Sequence, residues 1–384
     1  MPQRRATHIR SAAPFTTHEK MEQYKRIAVK VGSNVLTRSD GTLDVTRMSA
    51  LVDQMVTLRR AGMEVILISS GAVASGRSEL GSGLKLDDVS SRQLYSAVGQ
   101  AKLINRYYDL FRGYGIACGQ VLTTKDNFGS RNLYLNQKNC IATMLAAGVI
   151  PIINENDAVS ITELMFTDND ELSGLIATMM DAEALIILSN IDGIYDGNPA
   201  QEGAEVIRRV EPQASLEQYI QSSKSQFGRG GMLTKSNIAR KVASEGVEVI
   251  IANGKRDNIL PSLLLGSAAE REAVVCTRFV PSEKAPSSVK RWIAHSESFA
   301  KGELHLNAGA VEALLGPSAT SLLPVGIVSV EGIFDEGDIV RLVAPDGHQI
   351  GVGLVTADNE AVAALAGTRG GRPVVHYDYL YLDL

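Results

Sequence analysis

Residues 150–178 read IPIINENDAVSITELMFTDNDELSGLIAT. The run starts inside an apolar strand, Val149–Asn154, and breaks into Asn154, Glu155, Asn156 and Asp157. A second polar group, Thr167, Asp168, Asn169, Asp170 and Glu171, leads into an apolar helix over Asp170–Met180. Carboxylates and carboxamides are costly in a core-forming region unless something pairs with them. Two such groups around one short connection point to a polar site at a strand end and a helix start.

Working outward, the same grammar repeats. Short apolar runs at Ile27–Val31, Val65–Ser69, Ile116–Val121, Ala184–Ser189 and Val247–Ala252 read as strands covered on both faces. Helical patterns lie between them at Asp44–Ala61, Gln93–Tyr114, Arg131–Ala147 and Lys235–Glu245. The alternation predicts an α/β domain, a mainly parallel sheet with helices on both faces. Ligands of such sheets sit beyond the carboxyl ends of the strands. Small residues from Gly266 to Glu270 read as the start of a linker. From Ala273 short β-like runs take over: Leu304–Leu306, Gly326–Val330, Ile339–Val343, Ile350–Leu354 and Val374–His376. With one helix at Ala308–Leu315, they predict a small β-barrel-like domain.

A chain of 384 residues with 45% hydrophobic residues suits two domains with buried cores. A net charge of −5 gives no overall footprint for nucleic acid. Cys118, Cys140 and Cys276 are widely spaced, which fits neither a disulfide framework nor a zinc motif. No apolar run reaches the ~18 residues that span a bilayer. Reduced thiols and the absence of an apolar leader segment point to the cytoplasm. The first 24 residues read as a flexible extension; Met21, just before the first strand, is a candidate start. Glu19 and Glu22 count against a mitochondrial presequence.

Four loops carry chemistry. Lys30 sits in an apolar strand and precedes Gly32, Ser33 and Asn34; its ammonium needs an anion at the strand end, or a path to solvent. Ser69, Ser70 and Gly71 follow the second strand and open a helix, as an anion site or a simple N-cap. Gly228, Gly230 and Gly231 feed a helix that starts at Thr234 and Lys235, which suits phosphate binding without the GxxxxGK[ST] spacing. Ser189 and Asn190 leave a buried strand into a turn-rich segment that suits a nucleotide or plain turn chemistry. No His or Cys pair has metal-ligand spacing and no GxSxG elbow occurs. Two lysines and three Gly/Ser loops facing an acid–amide cluster fit phosphoryl transfer best.

In order along the chain, VKVGSNVL, LISSGAVASGR, SAVGQ, IPIINENDAV, FTDNDELS and GRGGMLTK resemble the glutamate 5-kinase family, which has the three-layer αβα amino acid kinase fold. KRWIA, AGAVEALL, SLLPVGI, the EGIF–EGD turn and GVGL look like a PUA domain. The resemblance implies a kinase domain over 25–266, a linker over 267–278 and a PUA domain over 279–384. It implies phosphorylation of the γ-carboxylate of L-glutamate by ATP with Mg²⁺, as the first step toward proline, with proline as inhibitor. Lys30 and Lys235 would hold the ATP phosphates and the transferring group, and Asp170 would orient both lysines. Ser70, Gly71, Asn154, Asp157 and Asn169 would bind glutamate. Ser189, Asn190 and the run Arg229, Gly230, Gly231, Met232, Leu233, Thr234 and Lys235 would line the nucleotide. No protein-held metal is expected, with Asp168 open between Mg²⁺ contact and loop structure. The family also suggests a homo-oligomer.

Two positions depart from the family's pattern. Ser189–Asn190 stands where Thr-Asp is frequent, and Thr167 replaces the Gly of GDND. Other amino acid kinases, acting on acetylglutamate, aspartate, carbamate or a nucleoside monophosphate, are the rival enzymes; NENDAV and the PUA-like segment argue against them. An RNA-binding role through Lys284, Lys290, Arg291, Arg369 and Arg372 is the rival from another class, and the acidic balance disfavours it.

Overall fold

The computed structural model describes residues 24–81, 85–160, 166, 169–198, 203–212, 232–283, 287–316 and 318–382. Eight strands form the first sheet: β1 (Arg26–Val31), β2 (Glu64–Ser69), β3 (Cys118–Thr123), β4 (Ile150–Glu155), β5 (Ala184–Ser189), β6 (Arg209–Val210), β7 (Glu248–Asn253) and β8 (Thr277–Phe279). Their order is β3-β4-β2-β1-β5-β7-β8-β6. Every pair is parallel except β7 with β8. The chain moves from β1 to β2 on one side and later returns to β5 on the other. Lys30 in β1 therefore stands where the winding reverses, the place at which open sheets bind ligands.

Helices cover both faces: α1 (Ser33–Leu36), α2 (Val45–Arg60), α3 (Ala72–Leu80), α4 (Asp88–Arg112), α5 (Asp126–Gly129), α6 (Arg131–Ala146), α7 (Asn169–Met179), α8 (Met232–Ser244), α9 (Ile259–Leu264) and α10 (Ala268–Ala273). Successive strand residues point to opposite faces, and two cores result. Ile27, Val29 and Val31 join α2, α4 and α9 on one face, while Ala28, Ile66 and Ile68 join α6, α7 and α8 on the other. Lys30 shares the parity of Ala28, so it points toward α7.

One contact fixes the entry to the site. Helices α3 and α4 cross at glycines: a Cβ on Gly76 would lie 1.8 Å from the Tyr95 carbonyl oxygen, and one on Gly99 1.8 Å from that of Ala72. Only glycine permits this approach. The turn before α3 is held in place as a result, with Gly71 at φ 105° in the left-handed region.

The second sheet has the order β10-β9-β11-β12-β13. Its strands are β9 (Gly302–Leu306), β10 (Ile327–Gly332), β11 (Ile339–Val343), β12 (Gln349–Val355) and β13 (Val375–Leu382). Leu304, Leu342, Val340 and Phe334 center its own core. Three more helices accompany it: α11 (Ser288–His295), α12 (Ala308–Leu315) and α13 (Asn359–Leu365). Helix α11 docks on the first domain, and its Trp292 and Ile293 enter the core under α7 and α8. Trp292 Nε1 donates to the Phe128 carbonyl at 2.8 Å.

Stretch 267–278, expected as a linker, is ordered structure instead. Ser267 and Glu270 cap α10 reciprocally, and Thr277 starts a strand of the first sheet with Cys276 buried beneath it. Small residues there serve a capped helix rather than chain flexibility. The N-terminal extension lies outside the described residues except for Tyr24.

Candidate active site

Neighbouring strands β4, β2, β1 and β5 end in polar residues on one edge of the sheet: Asn154 and Glu155, Ser69 and Ser70, Lys30, and Ser189. Asp170 lies in the first turn of α7 and is fully buried. One of its oxygens pairs with the Lys30 ammonium, itself only 5% exposed. The other pairs with Lys235 Nζ from the first turns of α8 at 2.8 Å. Burial alone would raise the Asp170 pKa, but the charges of Lys30 and Lys235 outweigh it and hold the carboxyl below its ordinary range. One anion thus gathers two cations from different elements, and the trio carries a net positive charge.

A chain of amides lies beside the trio. Asn154 donates to Gln100 Oε1 at 2.9 Å. Asn169 donates to Asn154 Oδ1 at 3.1 Å and to Ser70 Oγ at 2.8 Å. These bonds fix which end of each carboxamide faces which neighbour. They bring Ser70, Asn154 and Asn169 together, next to Gly71.

Asp157 has a partner that was not expected. The Arg92 guanidinium reaches Asp157 Oδ1 at 2.5 Å and Glu155 Oε2 at 2.8 Å. Ser96 Oγ lies 3.4 Å from the other Asp157 oxygen. Burial raises the Asp157 carboxyl while Arg92 opposes it. Glu155 is pushed up to about 7, first by burial and then by the Asp157 charge, with Arg92 again opposing. Arg92 was missed in the sequence, and Ser96 and Gln100 stood in the motif SAVGQ without a role, although the three recur every four residues along one face of α4. The motif SAVGQ now separates into parts: Ser96 meets Asp157, Gly99 lets α3 approach, and Gln100 holds Asn154.

On the other side of β1, Gly32 N donates to the Leu188 carbonyl at 3.1 Å, and a Cβ there would press on that oxygen at 3.3 Å. Ser189 is buried, and its Oγ lies 3.4 Å from Asn190 Oδ1. Gly254 N donates to the Ser189 carbonyl at 2.8 Å. Arg229, Gly230, Gly231, Thr167 and Asp168 lie outside the described residues. Met232 packs against the core, Leu233 is exposed, and Thr234 lines a cavity of about 470 Å³ with Glu171, His295 and Arg341. That cavity lies behind the helices that carry Asp170 and Lys235, against the C-terminal domain, and Lys30 does not line it.

The amino acid kinase family model matches residues 25–253 and the PUA domain model residues 302–373. A glutamate 5-kinase of Bacteroides thetaiotaomicron is 64% identical over 362 residues, 94% of this chain and 99% of the relative. The chain belongs to the glutamate 5-kinase family. A glutamate 5-kinase of Chlorobaculum tepidum is 48% identical over 361 residues, 94% of this chain and 98% of that one. In this glutamate 5-kinase family member the kinase match ends at the last residue of β7, and α9, α10 and β8 continue the domain beyond it. The PUA match opens at the first residue of β9. Among the described residues no helix is long and apolar enough to cross a membrane.

Proposed function

We propose that this chain transfers the γ-phosphoryl group of ATP to the γ-carboxylate of L-glutamate, giving γ-glutamyl phosphate and ADP. The observation that carries the reading is the buried Asp170 gripping Lys30 and Lys235 beside the Ser70–Asn169–Asn154 chain. The names of the relatives support the choice of acceptor.

The γ-carboxylate is ionised at neutral pH, since the ordinary glutamate pKa is about 4.3. It needs no general base to act as nucleophile, which fits a site without histidine. A bond forms between a carboxylate oxygen and the γ-phosphorus as the bond to the bridging oxygen breaks, and the electron pair leaves on ADP. The barrier is the approach of two anions, with charge spread over the equatorial phosphoryl oxygens. Lys30 and Lys235 supply the counter-charge, already desolvated and aimed. Asp170 is a positioning residue that keeps both ammonium groups converged on one point.

Ser70, the Gly71 N–H, Asn154 and Asn169 hold the glutamate in this reading. Asp157 binds its α-ammonium in exchange with Arg92, whose guanidinium then meets the α-carboxylate. Ser189, Asn190 and the segment from Arg229 to Lys235 line the ATP. The described carboxylates of the site are engaged by cations: Asp170 by the lysines, Glu155 and Asp157 by Arg92. Mg²⁺ therefore suits this site as a companion of the ATP phosphates, where it neutralises their charge.

The wider reading is a cytoplasmic homo-oligomer at the first step of proline synthesis, inhibited by proline at the glutamate site. RNA binding by the PUA domain is not favoured. ADP release measured across glutamate, acetylglutamate, aspartate, carbamate and UMP tests the acceptor. Turnover with glutamate alone is expected; turnover with another acceptor and none with glutamate would replace the reading.

A further inference from the structure

On the second sheet, far in sequence from the kinase residues, three side chains converge. Glu303 and His305 alternate along β9 on one face, and Glu331 stands directly opposite Glu303 on the edge strand β10. The donor atoms of all three lie within 4.8 Å of one another. His305 Nε2 is 3.3 Å from Glu331 Oε1 and 3.8 Å from Glu303 Oε2.

Three features set this group apart from ordinary surface charge. First, two carboxylates facing each other across a strand pair repel, and Arg341 reaches only Glu303 of the two, so a cation between them would offset the remaining repulsion. Second, the His305 side chain is 30% exposed but its Nε2 atom is turned away from solvent toward the two carboxylates, where it approaches both without an aligned hydrogen bond. Third, Arg341 on β11 donates to Glu303 Oε1 at 3.0 Å and leaves Oε2 turned toward His305. A neighbour that holds one oxygen and presents the other is the usual outer support of a metal-binding carboxylate. The spacing also fits. Bond lengths of about 2.0–2.1 Å to zinc imply donor–donor edges of roughly 3.3–3.4 Å in a tetrahedron. One histidine–carboxylate separation, 3.3 Å, matches that edge, and the other, 3.8 Å, exceeds it by an amount that a small side-chain rotation removes. The rotation falls to His305, whose side chain is 30% exposed, because Arg341 holds Glu303.

We propose that Glu303, His305 and Glu331 bind a divalent metal ion of the zinc class, with the fourth position left to water. Imidazole with carboxylates suits Zn²⁺, Co²⁺ or Ni²⁺ better than Mg²⁺. The ion ties edge strand β10 to β9 close to the register shift between Ile327 and Ser329. It is separate from the Mg²⁺ that accompanies ATP, and it does not depend on the identity of the phosphoryl acceptor.

The test is calorimetric titration of Zn²⁺ into the chelator-treated full-length protein, with His305→Gln and Glu331→Gln titrated alongside. The melting temperature of each is read with and without Zn²⁺. The wild type is expected to bind one more Zn²⁺ per chain than His305→Gln, and to gain several degrees that His305→Gln does not gain. Glu331→Gln is expected to bind at least tenfold more weakly. Kinase turnover at saturating Mg²⁺–ATP is expected to be equal in all three. Equal zinc stoichiometry and equal thermal response in wild type and His305→Gln would overturn the proposal. So would a wild type that binds no zinc below millimolar concentration, leaving His305 as an ion-pair partner of the two glutamates.

Discussion

Replacing Asp170 by Asn keeps the shape of the side chain and removes the charge that joins two lysines. At the 2.8 Å separation from Lys235, an effective dielectric constant near 20 gives roughly 6 kcal/mol of attraction per ion pair. Desolvation consumes much of that in a site where Asp170 is fully buried and Lys30 is 5% exposed. The net cost of leaving buried partners uncompensated is about 3–5 kcal/mol. At about 2–4 °C per kcal/mol for a domain of this size, the melting temperature is expected to fall by roughly 10 °C. The folded pKa of Asp170 lies below its ordinary 3.8. Its contribution is therefore complete above that value and lost only as pH falls through the folded pKa, so the comparison belongs at pH 7. Catalysis should suffer more, because both lysines lose their aim together. Losing one preorganised donor costs about 10²–10³ in turnover, and Asp170→Asn is expected to reach or exceed that range. Thermal melts and glutamate-dependent ADP release on the same preparation measure both. Turnover within tenfold of wild type in a folded Asp170→Asn protein would refute the positioning role.

Lys235→Ala should lower kcat by about 10²–10³ with the glutamate KM within a few-fold; a raised KM at unchanged kcat would mean uniform binding instead. Glu155 holds its proton up to about 7 in the folded protein, against an ordinary 4.5. The folded state thus binds the extra proton in that window, and stability falls as pH rises through it. Glu155→Gln should flatten that fall in melts from pH 5 to pH 8, and an unchanged slope would contradict the assignment. Gly99→Ala places a Cβ 1.8 Å from the Ala72 carbonyl and should cost about 1–3 kcal/mol or more by overpacking; a denaturant midpoint equal to wild type would show that α3 and α4 can separate freely. Trp292 is the chain's only tryptophan and is buried against Phe128. Its emission should shift to the red as α11 leaves the kinase domain, and a red-shifted spectrum in the native protein would contradict the docking.

The parts of this molecule that were legible in the sequence are those where a local conflict shows. Lys30 conflicts with its apolar strand, and Asp170 with its apolar helix; each conflict is resolved by the other residue. The buried parallel strands were equally plain, because cover on both faces makes them continuous apolar runs. Their ends shifted by one or two residues, as with Ile116–Val121 against the observed Cys118–Thr123. Arg92 was not found, and Ser96 and Gln100 had no role within SAVGQ, because their helix is polar on other faces as well and the partners Asp157 and Asn154 lie more than fifty positions away. Stretch 267–278 was misread because its small residues look the same in a flexible linker and in a short capped helix. Helix α11 was hidden for a related reason. The partner of Trp292 is the Phe128 carbonyl, 164 positions away, so nothing near it in sequence shows what the helix packs on.

The most direct test of the whole account is trapping with hydroxylamine in the presence of L-glutamate, Mg²⁺ and ATP. A γ-carboxylate that takes the phosphoryl group becomes an acyl phosphate, which hydroxylamine converts to γ-glutamyl hydroxamate. The expected result is hydroxamate formed in proportion to ADP, lost in Lys30→Ala and Lys235→Ala. ADP release without hydroxamate, or hydroxamate undiminished in both lysine variants, would contradict the role given to Lys30, Asp170 and Lys235.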